Sequence, residues 1–328
     1  MVDSGITLVQ SLHILSEQAE NKILSSVTLK IKEDIESGSS LHEALERHPK
    51  IFSNLYINMV KAGETSGLLD EILDRLASYL EKSSALQRKV KSSLVYPAVV
   101  ISMAILITMV LLIKVVPTFK GIFDSLGGTL PMPTQILIGI SDVLRKFFLF
   151  IVIAFAALVF LFKKYINTPK GRFQFDYNIL RAPVFGPLFR KVVVAKFSRT
   201  LATLVKSGVP ILNALEIVGK TAGNMVVEKA VTDARASIRE GEPISEPLLR
   251  SGAFPPMVIR MISVGEQTGK LEKMLNKIAD FYDEQVDTAV SGLTSMIEPL
   301  VIGFLGIIIG GIVVALFMPI FKITELIS

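Results

Sequence analysis

Residues 299–321, "PLVIGFLGIIIGGIVVALFMPIF", contain no charged side chain. A core helix of a globular protein sustains such a run for about ten to fourteen residues, and a longer one belongs in hydrocarbon. Two more runs obey the same rule. Residues 98–116, "AVVISMAILITMVLLIKVV", carry one charge, Lys114, near an end where a long side chain snorkels to water. Residues 147–162, "FFLFIVIAFAALVFLF", carry none. That run is short, covering about 24 Å of a hydrocarbon core of about 30 Å. Arg145, Lys146, Lys163 and Lys164 bracket it, and their stems lengthen it at both ends. Three transmembrane helices are expected, in keeping with a chain that is half apolar and only 20% charged.

Basic residues set the orientation, because cytoplasmic segments near a span are enriched in Lys and Arg. Lys82, Arg88, Lys89 and Lys91 precede the first span. Lys163, Lys164, Lys170, Arg172, Arg181, Arg190, Lys191, Lys196 and Arg199 follow the second, with Asp176 the one acid up to residue 200. The intervening segment, 117–146, holds Lys120, Arg145 and Lys146 against Asp124 and Asp142. The first two regions are therefore expected in the cytoplasm, and 117–146 as a short extracytoplasmic loop. The tail, 322–328, carries one Lys and one Glu and suits an extracytoplasmic C-terminus. A basic run of this kind suits anionic lipid; it lacks the interleaved aromatics and groove-reading motif of a nucleic-acid site.

The two polar portions repeat one another. "SGITLVQSLHIL" from Ser4 answers to "SGVPILNALEIV" from Ser207, and "IESGSSLHEAL" from Ile35 to "IREGEPISEPL" from Ile238. "MVKAGETSGLLDEIL" from Met59 answers to "MISVGEQTGKLEKML" from Met261. Pro97 and Pro299 stand at the entries of the first and third spans. Glycines and prolines kept in register mark a duplication. Each copy reads as short helices ending in a long one, about 70–97 and 271–298. Leu69, Ile72, Leu76 and Tyr79, and Leu271, Met274, Leu275 and Ile278, fall at helical spacing. Ser40 and Glu43 form a capping box. Gly38, Gly63 and Gly67, with Gly241, Gly265 and Gly269, are expected as helix stops. In the second copy "VVVAKFSRTLATLVK", 192–206, adds an amphipathic helix before the shared Ser-Gly; the first copy has only Met1, Val2 and Asp3 there. The first bundle is thus expected to lack its first helix, as a truncated or misassigned start would leave it.

Three fragments imitate catalytic motifs and fail on spacing. "VGEQTGKLE", 264–272, separates Gly265 from Gly269 by three residues and puts Leu271 where a phosphate loop needs Ser or Thr. The Gly-Lys-Thr at Gly219–Thr221 has Ala214 in place of the first glycine. "HEALE" from His42 has Glu46 where a zinc protease has its second histidine, so it reads as the surface of a short helix. The chain has no cysteine, and His13, His42 and His48 all precede residue 50. No catalytic, metal or cofactor site is assembled from these. The first fragment instead twins with "AGETSGLL", 62–69, as a helix–turn–helix corner. Gly265 suits the left-handed position ending one helix, and Thr268 or Gly269 the start of the next. Glu64 and Glu266 are expected near the positive end of the helix that follows, and as candidate partner contacts.

With these features the chain resembles the polytopic inner-membrane platform proteins of type II secretion and type IV pilus assembly. The resemblance covers nearly the whole chain. It rests on the duplicated helical domain, the opening at Ser207, Gly208, Leu212, Ala214 and Leu215, the paired Gly-Glu corners, the span-entry prolines and the three spans. Ser11 departs from the small Ala of the second copy. The resemblance implies an all-α polytopic membrane protein that is not an enzyme. Its order is a cytoplasmic bundle 1–97, span 98–116, loop 117–146, span 147–162, bundle 163–298, span 299–321 and tail. The implied partners are a hexameric secretion ATPase, pilin or pseudopilin subunits, other inner-membrane assembly proteins, membrane lipids and further copies of itself, without nucleic acid. A transporter or channel built from the repeat is the alternative, disfavoured because no acid or histidine lies inside the spans. Gly306 and Gly310 there give a small-xxx-small spacing suited to helix packing.

Overall fold

The computed structural model describes residues 1, 4–125, 131–183 and 185–327. All regular elements among them are helical. The first copy folds as α1 (Leu8–Gln18), α2 (Lys22–Glu36), α3 (Leu41–Glu46), α4 (Asn54–Ser66) and α5 (Leu69–Val110). A π-helical turn, Leu111–Val115, leads into α6 (Val116–Ser125), and α7 covers Met132–Ile166. Then come α8 (Pro169–Arg181) and α9 (Gly186–Lys206). The second copy repeats the first order as α10 (Ile211–Thr221), α11 (Met225–Arg239), α12 (Ser245–Ser251), α13 (Pro256–Gln267) and α14 (Leu271–Ile327).

Local signals account for these boundaries. The Asn21 side chain accepts from the amides of Ile23 and Leu24 at the start of α2, and Asn224 repeats this at α11 with Val226 and Val227. Gly38 and Gly241, at φ 95° and 99°, close the preceding helices in a conformation open to glycine. The two copies therefore share their caps as well as their apolar spacing.

The described residues form two compact units. One, the bundle unit, combines Met1–Gln87 with Phe173–Asp287; the other, the membrane unit, combines Arg88–Arg172 with Thr288–Ser328. In the bundle unit both copies contribute to one apolar core, with Ile31, Leu45, Met59 and Leu76 from the first and Leu215, Leu248, Ile262 and Ile278 from the second. Helix α9 ties them together. Its Phe197, Leu201 and Leu204 are fully buried, and Phe197 packs on Phe254 with ring centroids 4.5 Å apart. On another side, Thr200 of α9 meets the Tyr79 hydroxyl of α5 at 3.0 Å, and the Arg75 guanidinium donates to the Lys206 carbonyl. Burial pushes the Tyr79 phenol above its ordinary pKa. Tyr79→Phe is expected to cost about 1 kcal/mol through the lost buried hydrogen bond, measurable by chemical denaturation.

The copies differ where α9 lies. Leu215, Val218 and Val231, in the core that α9 joins, are fully buried. Their first-copy equivalents Leu12, Leu15 and Thr28 line an open cavity of about 640 Å³, with Ile31, Tyr56 and Leu73. Leu15 is 46% exposed. The Ser11 hydroxyl, buried at the same wall, has no hydrogen-bond partner among the described residues, whereas the second copy has Ala214 there. The first copy thus presents an open apolar wall where the second is closed.

In the membrane unit Leu112, Val116, Ile138, Ile312 and Leu316 share a small core. Thr134 donates to the Ala315 carbonyl at 2.5 Å, and Ser141 to the Leu112 carbonyl in the π turn. A π turn displaces carbonyls from the α-helical ladder, and the Ser141 hydroxyl satisfies one of them. Three helical segments are long and apolar enough to cross a membrane: one within 69–121, then Met132–Ile166 and Pro299–Met318. One expectation needs correction. Most of 117–146 is helix, not loop, so α7 is about 52 Å long and carries the apolar run 147–162 in its second half. Leu126–Leu130 of that segment lie outside the described residues. Pro97 and Pro299 lie inside α5 and α14, and Pro299 opens the apolar segment Pro299–Met318.

Candidate functional site

The paired Gly-Glu corners are built alike. Helix α4 ends at Ser66 and Gly67 takes φ 71°. The Leu68 amide donates to the Gly63 carbonyl at 3.0 Å, and the Gly67 amide to the Glu64 carbonyl at 3.4 Å. In the second copy Gly269, φ 66°, closes α13 in the same way: Lys270 donates to the Gly265 carbonyl at 2.9 Å and Gly269 to Glu266 at 3.3 Å. This six-to-one and five-to-two pairing is a Schellman closure.

The closure corrects the role expected of the first glycine in each pair. Gly63 and Gly265 do not end a helix; they lie buried inside α4 and α13. A Cβ on Gly265 would stand 2.9 Å from the Leu271 Cα and 3.2 Å from the Met274 Cβ. One on Gly63 would stand 3.1 Å from the Ile72 Cβ and 3.2 Å from the Leu69 Cα. The first glycine therefore permits the long helix to pack against the one before it. The second supplies the left-handed turn. Thr268 completes α13, its hydroxyl donating to the Val264 carbonyl at 2.7 Å, and does not start the next helix.

The glutamates are corrected too. Glu64 does not cap the helix that follows. It reaches back to the start of α3, where its carboxylate accepts from the amides of Leu41 at 2.6 Å and His42 at 3.0 Å. The His42 ring adds a third contact, Nδ1 to Oε2 at 2.5 Å. Glu266 reaches back to the start of α12, accepting from the amides of Ile244 at 2.5 Å and Ser245 at 3.2 Å and from the Ser245 hydroxyl at 3.2 Å. Helix starts leave amides unpaired and carry partial positive charge, so a carboxylate is the group suited to both. Helix α3 also keeps its expected capping box: the Ser40 amide donates to Glu43 at 3.0 Å. That bond and the Ser40 hydroxyl hold the Glu43 carboxyl below its ordinary pKa.

This geometry disposes of the phosphate-loop likeness. The amides of Gly269 and Lys270 are already committed to carbonyls, so they are not presented to a phosphate. At the other fragment Lys220 pairs with Glu216 at 3.0 Å and Thr221 bonds the Ile217 carbonyl at 2.9 Å. His42, expected as surface, is half-buried against Glu64. Partly buried carboxylates holding helix starts form a staple across each bundle, a use that sequence spacing did not reveal. The one available signal was that Glu64 and Glu266 each lie about twenty residues beyond a Leu or Ile with Glu two places on, "LHE" and "ISE".

A duplicated all-helical bundle stapled at matching corners, carried on helices fit to cross a membrane, defines a class of membrane scaffold. The family model for "Type II secretion system (T2SS), protein F" matches residues 1–117 and 197–319, one match per copy, and the chain belongs to that family. It is 46% identical to the type IV pilus assembly protein PilC of Myxococcus xanthus, over 98% of this chain and 78% of the relative. It is 48% identical to PilC of Thermus thermophilus, over 100% and 81%. It is 32% identical to type II secretion system protein F of Vibrio cholerae, over 100% and 81%.

Proposed function

We propose that this chain is the inner-membrane platform of a type IV pilus or type II secretion machine. It receives motion from a cytoplasmic hexameric ATPase and passes it to pilin or pseudopilin subunits in the bilayer. The carrying observation is the fusion of both copies into one core through α9, which gives a rigid body rather than two loosely linked domains. A rigid body transmits a push without dissipating it in internal rearrangement. The Lys and Arg bias supports a cytoplasmic bundle unit and an extracytoplasmic C-terminus. Gly306 and Gly310 leave open space at the Cβ positions of α14, a face suited to another helix of the assembly or of a second copy.

The corners enter this reading as shape. Glu64 and Glu266 spend their carboxylates internally, and Gly63 and Gly265 are buried, which leaves Leu68 and Lys270 exposed beside Gly67 and Gly269. Those tips are the proposed contact with the motor. Detergent-solubilised full chain is expected to capture the ATPase encoded with it, and Leu68→Glu with Lys270→Glu to weaken capture while thermal stability holds. Failure of the unaltered chain to capture the ATPase sinks the coupling role. Reporter fusions near residue 130 and at the C-terminus, both reading outside, check the orientation.

A further inference from the structure

The junction of α7 and α8 is a rigid corner loaded with free cations. The Thr168 hydroxyl donates to the Tyr165 carbonyl at 2.6 Å and accepts from the Gly171 amide at 3.1 Å. Arg172 continues the turn, its amide donating to the Thr168 carbonyl at 2.9 Å. Gly171 is pressed on the end of α7: a Cβ there would fall 2.0 Å from the Tyr165 carbonyl oxygen. Around this corner Lys163, Lys164, Lys170 and Arg172 are all exposed, and among the described residues none of the four meets a carboxylate. Asp176, the one acid of the run, is buried and accepts from the Met225 amide at 2.7 Å, so it neutralises nothing at the surface.

Helix stability does not explain the placement. Lys163 and Lys164 suit the last turn of α7, but Lys170 and Arg172 oppose the dipole at the start of α8, whose first turn holds no acid. The position relative to the apolar run is informative. Phe162 ends that run, and the next two residues are lysines, so the cations begin where hydrocarbon gives way to headgroups. Tyr165, 54% exposed, is the amphipathic ring favoured at that depth.

We infer that the α7–α8 corner, through Lys163, Lys164, Lys170 and Arg172, is a binding surface for the headgroups of anionic phospholipids. The corner brings the four cation-bearing positions to one turn of the backbone, and each headgroup phosphate brings negative charge to their exposed side chains. The inference rests on the membrane reading of α7 and is independent of the pilus or secretion role. Residues that merely orient the chain during insertion need no such lipid preference afterwards, and this separates the two.

The test uses the full chain reconstituted in phosphatidylcholine bilayers with a trace of spin-labelled phosphatidylglycerol or phosphatidylcholine. Electron paramagnetic resonance reads how much of each label the protein restrains. The unaltered protein is expected to favour the anionic label by about fivefold or more, the effect of one or more surface cations. The preference should shrink as salt rises from roughly 0.05 to 0.5 M. The combined K163Q, K164Q, K170Q and R172Q variant should bring the ratio near one with helicity unchanged. The charge-keeping K163R, K164R, K170R and R172K variant should retain it. A ratio near one in the unaltered protein overturns the inference, as does an unchanged ratio in the Gln variant. So does a single-stranded oligonucleotide that binds the corner and is not displaced by phosphatidylglycerol vesicles.

Discussion

Replacing Phe197 by Ala is expected to destabilise the bundle unit by about 3–5 kcal/mol, among the larger costs a single truncation carries. Phe197 is fully buried and packs tilted against Phe254, and it sits on α9, the helix that joins the copies. Its loss removes the ring's own burial and leaves a void among side chains fixed from several helices, which relax little. A melting shift on the order of 10 °C follows for a unit of this size. The duplication supplies an internal control. Leu215 and Leu12 occupy equivalent positions, but Leu215 is fully buried in the core that α9 joins and Leu12 borders the open cavity. Leu215→Ala is expected to cost about 2–5 kcal/mol and Leu12→Ala about 1 or less, because the second truncation enlarges a space that is already open. Equal costs, measured by denaturation of the purified chain, would show that the first copy packs as tightly as the second.

The amphipathic row Phe197, Leu201 and Leu204 ahead of Ser207 was visible in the sequence because it concerns a whole helix. The spans were visible for the same reason: a long uncharged run has few places to go. The extent of α7 was not, since 132–146 mixes Ile138 and Ser141 with Asp142 and Arg145, and neither reads as bilayer. Its inner face is set by contacts with distant segments, as when Thr134 bonds the Ala315 carbonyl. The corners divide in the same way. That each corner holds a glycine stop follows from local chemistry, but the left-handed turn expected at Gly265 lies at Gly269. The buried glycines beside them depend on how closely α5 and α14 approach, a distance that no local pattern encodes. The destinations of Glu64 and Glu266, more than twenty residues back along the chain, are tertiary facts of the same kind.

The second large effect is expected at that staple. Glu266→Ala strips an acceptor from the Ile244 amide, the Ser245 amide and the Ser245 hydroxyl at once, and both of those residues are more than nine-tenths buried. Buried donors without partners cost about 1–3 kcal/mol each, and water entering at the partly exposed Glu266 site recovers some of this. A net loss of about 2–4 kcal/mol is expected, read as a lowered denaturation midpoint with an unchanged slope. Glu266→Gln should lose less, because its amide oxygen still accepts one of the bonds, though its NH2 group faces donors. Glu266→Lys should lose most, since it also sets a cation against the positive end of α12. The order Gln, Ala, Lys distinguishes an internal staple from a contact surface. A partner that reads the carboxylate directly would respond to Gln almost as strongly as to Lys, and capture of the ATPase would fall while the midpoint stayed in place. Capture that tracks the midpoint through all three variants assigns Glu266 to holding the corner's shape.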